Sequence, residues 1–329
     1  MTMLLQSGLI MKKRVAVTKV LVTGGAGYVG SVLAPMLLKQ GYSVRVLDNL
    51  LCQRSNLLTD FVYGGLEFIK GDIRDAQVVR RALEGVEYIV HLAAIVGEPA
   101  CRKNVTLCRD VNTGGSRLIN KLRRPEQKLI FVSTTSIYGD ADGALCAEDA
   151  PLKTDTDYAV SKFEAEKDIQ IKGNYVIFRF ATAFGISPRL RLDLLPNDLT
   201  YQAVHMKRIM IHEPQFKRTF IHVRDMARSF VFAIENFYRL KDGTYNVGSE
   251  EMNLSKVEVA LRIKNKIPYE LQFVDTQDID RRNFEVSYAK LRDKGFESRI
   301  GLEEGIEEVA RGCRDIRNQR PFLNEEFVS

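Results

Sequence analysis

Residues 19–49 read KVLVTGGAGYVGSVLAPMLLKQGYSVRVLDN. The opening KVLVTG is short and β-branched, which predicts a buried strand. Residues 28–41, YVGSVLAPMLLKQG, carry apolar residues at helical spacing and stop at Gly41, a helix C-cap residue. The closing YSVRVLDN predicts a second strand. Strand, glycine turn, helix and strand make the βαβ unit of a parallel sheet. Gly24, Gly27 and Gly30 fall in the turn at one repeated interval. Glycines there let backbone N–H groups approach a pyrophosphate at the positive end of the helix. Asp48 closes the second strand, eighteen residues past Gly30. A carboxylate at that tip suits paired ribose hydroxyls and repels a 2′-phosphate, so the pattern predicts NAD over NADP. Pro35, beyond the first helical turn, is expected to bend the helix or leave a carbonyl unpaired.

The whole chain has 329 residues, 45% hydrophobic and 27% charged, the balance of a soluble globular protein. Its length suggests about two domains. No apolar run approaches the ~18–20 residues of a membrane span. Cys52, Cys101, Cys108, Cys146 and Cys313 form an odd, scattered set. That predicts a reducing cytoplasm and argues against a disulfide framework or a metal site. Near the start, KKR follows the apolar stretch, the reverse of a signal peptide, so residues 1–17 read as a flexible leader. Net charge is +6. The densest basic patch, KLRRPEQK at 121–128, lacks interleaved aromatics, which argues against a nucleic-acid partner. A site for small anionic nucleotides accounts for part of the excess.

Further along, strands and helices alternate. LEFIKGDIRD (66–75) reads as a strand ending at Gly71-Asp72, AQVVRRALEG (76–85) as a helix, and VEYIVHLAA (86–94) as a strand. Residues 104–124 are helix-rich with two interrupting glycines. KLIFVSTTSIYG (128–139) runs from a strand into a polar turn, DYAVSKFEAEKDIQIKG (157–173) is a helix, and YVIFRFATAFG (175–185) is a strand. The expected fold class is α/β, a doubly wound parallel sheet over residues 18–180. Residues 181–329 break the rhythm and predict a smaller C-terminal substrate-binding domain, with segments around 219–248 returning to the large domain.

Ligands in such sheets bind beyond the carboxyl ends of the strands. The glycine turn, STTSIYG (133–139) and YAVSK (158–162) therefore point at one crevice. Tyr158 and Lys162 are four apart on one helix face. A phenol titrating near ~10 needs a shift of roughly three units, about 4 kcal/mol, to act as a base near neutrality. An ammonium one turn away supplies part of that. His91 and His222 read as packing residues.

The glycine turn, Asp48, GDIRD, HLAA, STTSIYG, YAVSK and RFATAFG occur in the order and spacing of the extended short-chain dehydrogenase/reductases. More narrowly, residues 18–310 resemble the NAD-dependent epimerase/dehydratase family, which acts on nucleotide sugars. The resemblance implies a Rossmann domain and a cofactor site at Gly24, Gly27, Tyr28, Val29, Gly30, Asp48, Asn49, Asp72, Ile73, Leu92, Ala93 and Ala94, with Tyr158 and Lys162. It implies Tyr158 as the base, Lys162 as the holder of the nicotinamide ribose, and Thr134 as the bridge between sugar hydroxyl and base. Tyr158 then takes the proton of the sugar 4-hydroxyl while hydride leaves carbon 4. Thr135 and Ser136 stand where the 4,6-dehydratases of the family carry an acidic pair, which disfavours dehydration. Asn197 and Arg218 match diphosphate-gripping positions, Arg282 offers a second phosphate arginine, and Thr182 replaces a family asparagine at the sugar. Residues 184–203 partially resemble bacterial GDP-heptose 4-oxidoreductases. The expected activity is a nucleotide-sugar 4-epimerase passing through a 4-ketone. The alternative is a 4-dehydrogenase that releases the ketone. A non-catalytic NAD-sensing protein would keep the glycine turn and drop the Tyr–Lys pair. The family also implies a homodimer, paired through the helices around 111–122 and 158–171.

Overall fold

The computed structural model describes residues 17–51, 57–274 and 282–315. The chain opens with β1 (Lys19–Thr23), α1 (Gly30–Lys39), β2 (Ser43–Asp48), β3 (Leu66–Lys70), α2 (Ala76–Leu83) and β4 (Tyr88–His91). Then come α3 (Glu98–Lys103), α4 (Val105–Arg109), a π turn (Asp110–Gly115), α5 (Ser116–Leu122) and β5 (Lys128–Thr134). A short β6 (Leu145–Cys146) precedes α6 (Asp157–Lys172), β7 (Tyr175–Phe180) and β8 (Thr182–Phe184). The remainder runs α7 (Leu195–His205), β9 (Arg208–His212), β10 (Lys217–His222), α8 (Val223–Glu235), α9 (Phe237–Leu240), β11 (Gly243–Val247), β12 (Asn253–Ser255) and α10 (Lys256–Lys264). It ends with β13 (Glu270–Val274), β14 (Glu285–Val286), α11 (Ala289–Arg292) and α12 (Leu302–Asp315).

Seven strands form one sheet in the order β11-β7-β5-β4-β1-β2-β3, and every pair is parallel. This is the doubly wound Rossmann sheet that the alternating pattern predicts. Alternation of side chains along each strand divides its core in two. Val20, Val22, Val44, Val46, Ile130 and Phe178 join one cluster with Leu33 of α1 and Phe230 of α8. Leu21, Leu47, Ile89, Leu129, Phe131 and Ile177 join the other with Ile119 of α5 and Ile169 of α6. The later chain divides. β11 completes the edge of the large sheet, whereas β10 pairs with β8 and β12 in a three-stranded sheet. A third core, including Phe184, Leu199, Ile211, Phe220 and Ile263, sits beneath that small sheet.

Two local features deliver the ends of β1 and β5 to one place. The first is the glycine turn. Gly24 adopts φ +70°, and a Cβ there would stand 2.7 Å from the Ala93 nitrogen. A Cβ on Gly30 would stand 2.4 Å from the Gly24 carbonyl oxygen and 2.5 Å from Gly25 Cα. The start of α1 thus lies directly on the turn, and Pro35 sits inside the helix without ending it. An alanine normally favours a helix over glycine by about 1 kcal/mol. Here overpacking against backbone, about 1–3 kcal/mol, outweighs that gain. Gly30→Ala is expected to lower the melting temperature in a thermal unfolding scan.

The second is the support of α6. Arg179 of β7 grips Glu166 of α6 with both nitrogens of its fork, Nε–Oε1 at 3.2 Å and Nη2–Oε2 at 2.9 Å, and both side chains are buried. On the other flank, the glycines at 114 and 115 do not break the helix as the sequence suggests. They lie in the π turn, where a Cβ on Gly115 would meet Ile73 Cδ1 at 2.5 Å. The extra residue turns Asn112 inward. Its amide holds both Ile95 N–H (2.8 Å) and Ile95 C=O (2.9 Å), and donates to Ser161 of α6 (3.0 Å).

Candidate active site

A crevice of about 810 Å³ opens along the carboxyl ends of β1, β2, β4, β5 and β7. Gly24, Gly27, Tyr28, Val29, Gly30, Asp48, Asn49, Asp72, Ile73, Leu92, Ala93 and Ala94 line one part of it. Thr134, Tyr158, Lys162, Thr182, Arg218 and Arg282 line the rest. The fold therefore brings together every site residue expected from the sequence except Asn197.

The cofactor end has a cradle that fits a dinucleotide, since side chains on the turn would collide with Ala93 or the turn itself. The Asp48 carboxylate accepts N–H bonds from Ala26 (3.0 Å) and Leu50 (2.8 Å), fixing the turn. Burial raises its pKa, opposed by those bonds and by the nearby Arg189. Asp72 is held below its ordinary range by Arg74, which forks onto it at 3.0 and 2.8 Å. His91 lies behind the crevice, its ring bonded to Thr23 Oγ1 (2.6 Å) and Ser116 Oγ (2.9 Å). Burial pushes it down to about 3, so it is a neutral packing residue. His222 is likewise pushed down to about 4 by burial and caps α8 through Arg224 N–H.

His91 carries a pH consequence. The unfolded chain takes up this proton near 6.5, the folded chain not until about 3. Between those values the unfolded state binds more protons, so stability falls as pH falls through that window. Melting temperatures measured across it are expected to drop less steeply in His91→Gln than in the parent chain. An unchanged slope would remove His91 as a source of acid sensitivity.

At the reacting end, Tyr158 and Thr134 line the crevice together, and Thr134 opposes the effect of burial on the phenol. Thr134 Oγ1 donates to Ser136 Oγ at 2.9 Å, and Arg282 Nη1 also donates to Ser136 Oγ. Arg282 thus reaches the Thr134–Ser136 turn at the end of β5. The electrostatics differ from the one-turn ammonium that the spacing suggests. Burial pushes Lys162 down to about 7, with its Nζ 4.3 Å from the centre of the Phe131 ring. Burial also raises the Tyr158 phenol, and the influences that oppose it are Arg191, Arg282 and Thr134.

Asn197 is corrected by its surroundings. Its side chain is fully buried in the first turn of α7. It accepts the Gly185 N–H at 2.9 Å and donates to the Arg191 carbonyl at 2.8 Å. It holds the 185–191 loop from behind and does not reach the crevice. The cysteine expectation is corrected too. α3 ends at Lys103, and Asn104 at φ −147°, ψ 86° folds α4 back, so Cys101 and Cys108 come to 5.1 Å between Cα atoms and form a disulfide. Both pack against Tyr158 with Ile95. Cys146 and Cys313 are free and buried.

Sequence reading missed Arg189, Arg191 and Asp193, which line the crevice from the loop after β8. The signal present is their spacing, every second residue in PRLRLD, which throws them to one side of an extended segment. Arg191 forks onto Asp193, Nε–Oδ1 at 3.0 Å and Nη2–Oδ2 at 2.8 Å. Eight cationic and four acidic side chains line the crevice in all. The balance suits more than one anionic group. Among the described residues no cluster of three or more metal-ligating side chains occurs, and no helix is long and apolar enough to cross a membrane.

Comparison with known proteins agrees with this site. Residues 20–248 match the model of the NAD dependent epimerase/dehydratase family. The chain is 29% identical over 261 residues to a UDP-glucose 4-epimerase of Corynebacterium glutamicum, covering 70% of this chain and 75% of that protein. It is 26% identical to the UDP-glucose 4-epimerase of Bacillus subtilis, over 87% of this chain and 94% of that one. Among solved structures, the UDP-glucose 4-epimerase of Thermus thermophilus in complex with NAD superposes with a TM-score of 0.77 at 26% identity, covering 90% of this chain and 99% of that one. The glycine cradle, the Tyr158–Thr134 pair and a family match over most of the chain lead to one conclusion: this chain is an NAD-dependent enzyme of the NAD-dependent epimerase/dehydratase family.

Proposed function

We propose that the chain is a nucleotide-sugar 4-epimerase acting through a 4-keto intermediate, with a UDP-hexose as the first substrate to test. One observation carries this reading. Tyr158 and Thr134 line one crevice, while the next two positions carry no carboxylate. Thr135 donates to the Phe180 carbonyl at 3.2 Å, and Ser136 is engaged by Thr134 and Arg282. Neither offers the acid and base that loss of water from the sugar requires.

In this reading Tyr158 Oη takes the proton of the sugar 4-hydroxyl, and Thr134 Oγ1 orients both. Bound NAD supplies a hydride acceptor. Gly24, Gly27 and Gly30 would hold its pyrophosphate, Asp48 its adenosine ribose, and Lys162 its nicotinamide ribose. Arg218 and Lys256, at the other side of the crevice, hold the substrate diphosphate, and Thr182 contacts the sugar. The Tyr158 proton returns to the same oxygen when the ketone is reduced from its opposite face. Positioning within one crevice provides most of the rate.

The test is incubation with catalytic NAD and a panel of UDP-, dTDP- and GDP-sugars, reading product by chromatography and reduced nicotinamide by absorbance. Accumulation of the 4-epimer without net reduction of NAD is expected. Stoichiometric reduction with release of a ketone would replace the epimerase reading with a 4-dehydrogenase.

Asp48 carries the cofactor preference. Asp48→Ala loses hydrogen bonds to a charged acceptor, about 1.5–3 kcal/mol, so NAD binding is expected to weaken roughly tenfold or more. With Arg189 left nearby, NADP binding is expected to improve relative to NAD. Parent protein that binds NADP as tightly as NAD would overturn the assignment.

The same reading includes a homodimer through the helices around 111–122 and 158–171. Sedimentation is expected to show a dimer at micromolar protein; only monomer there would count against it.

A further inference from the structure

We propose that Tyr28, a residue of the cofactor turn, serves the substrate side of the crevice: its hydroxyl and Asn197 form a bridge that positions Arg191 for the oxygens of the sugar nucleotide. The inference rests on the reading of the crevice as a nucleotide-sugar site. Between Phe184 and Leu195 the chain has neither helix nor strand, so its backbone groups need partners from elsewhere. Gly185 leaves β8 at φ +102°, and a Cβ there would collide with the His222 ring. The Tyr28 hydroxyl donates to the Gly185 carbonyl at 2.7 Å. Asn197 accepts the Gly185 N–H at 2.9 Å and donates to the Arg191 carbonyl at 2.8 Å, and its Nδ2 also lies 3.4 Å from Tyr28 Oη. A second tie runs beside the first. Ser187 Oγ donates to the Tyr28 carbonyl at 2.6 Å and accepts the Arg189 N–H at 3.3 Å. Both ends of the 185–191 segment are thereby tied to one residue of the glycine turn, Gly185 directly and Arg191 through Asn197.

Tyr28 is suited to this role. Its ring is buried with Leu194 and Val223. A buried tyrosine hydroxyl needs a hydrogen-bond partner. Burial raises the phenol, so it stays protonated and donates. Arg191 is what the bridge delivers. It lines the crevice, and its Nη2 lies 3.9 Å from where a side chain on Gly97 would begin, at the entrance to α3. Its Nε and Nη2 fork onto Asp193, whereas Nη1 has no hydrogen-bond partner among the described residues. A guanidinium carries its N–H donors in a fixed fork, so the Nη1 donors remain for a ligand oxygen. Asp193 fixes the plane of the fork, and Asn197 fixes the backbone that carries it.

The first test needs no substrate. In NAD-loaded protein, amide hydrogen exchange of a peptide covering 185–191 is expected to run about three- to tenfold faster in Tyr28→Phe, the range for one lost hydrogen bond. Ser187→Ala cuts the second tie and is expected to act in the same direction. Unmoved exchange in both variants overturns the bridge. The second test is steady-state kinetics on the sugar nucleotide that the parent turns over. Tyr28→Phe is expected to raise KM about three- to tenfold, with kcat and NAD affinity moving less and the melting temperature near that of the parent. Arg191→Gln is expected to raise KM further. The double variant is expected to match Arg191→Gln, because a bridge that acts through Arg191 then has nothing left to position. Independent losses in the double variant overturn the proposal, as does Tyr28→Phe weakening NAD while KM stays unchanged. If the parent turns over no sugar nucleotide, the functional reading fails, and exchange alone decides whether Tyr28 holds the loop.

Discussion

Tyr158→Phe is expected to lower turnover of a sugar nucleotide by about 10²–10⁴-fold, the range for removing a positioned general base. The ring itself stays useful. It packs with Ile95, Ala100, Cys101 and Cys108, contacts that phenylalanine keeps. Folding and NAD affinity are therefore expected to remain near the parent values, so the loss falls on kcat. Thr134 cannot take over, because a hydroxyl already donating to Ser136 Oγ has no comparable basicity. The measurement is steady-state kinetics with NAD titration and a thermal scan on the same preparation. Near-normal turnover would remove Tyr158 from the mechanism. A lowered melting temperature with weak NAD binding would instead give the hydroxyl a structural role.

The βαβ unit was legible because its signals are local. Strand periodicity, a turn that only glycine fits, and an acid at a strand tip are all set within thirty residues. Tyr158 and Lys162 were legible as a pair for the same reason, since helix pitch fixes their common face. Their electrostatics were not. Spacing gives proximity, but burial decides charge, and burial depends on neighbours such as Phe131 and the α3 entrance, which the fold brings from far along the chain. Asn197 shows the same limit in another form. Its place in a motif said nothing of which way the first turn of α7 faces, and the loop backbone claims its amide. Cys101 and Cys108 needed the break at Asn104 to meet. Arg191 and Asp193 sat in a stretch without regular structure, where alternate spacing is a weak sign until a crevice wall gives it a side.

Arg218→Ala is expected to raise the substrate KM by roughly ten- to a hundredfold, from the 1.5–3 kcal/mol of a charged hydrogen bond to phosphate. Arg218 comes from β10, paired on both edges by β8 and β12, so its backbone is held before substrate arrives. Its side chain is buried, with Nη1 donating to the Lys217 carbonyl at 3.0 Å. Little ordering remains to offset the gain on binding. A nucleotide sugar brings a second diphosphate into a crevice that already serves the cofactor's own, and a cation beside it reduces their repulsion. Because Asp48 and the glycine turn lie at the other part of the crevice, NAD affinity is expected to stay almost unchanged. Arg282→Ala makes the contrast. Its guanidinium engages Ser136, next to Thr134 and Tyr158, so its removal is expected to reach kcat as well as KM, with a smaller rise in KM than Arg218→Ala. Kinetics on both variants beside NAD titration separate the roles. If Arg218→Ala leaves KM alone and weakens NAD, Arg218 serves the cofactor, and the substrate diphosphate must lie nearer Arg191 and Arg282.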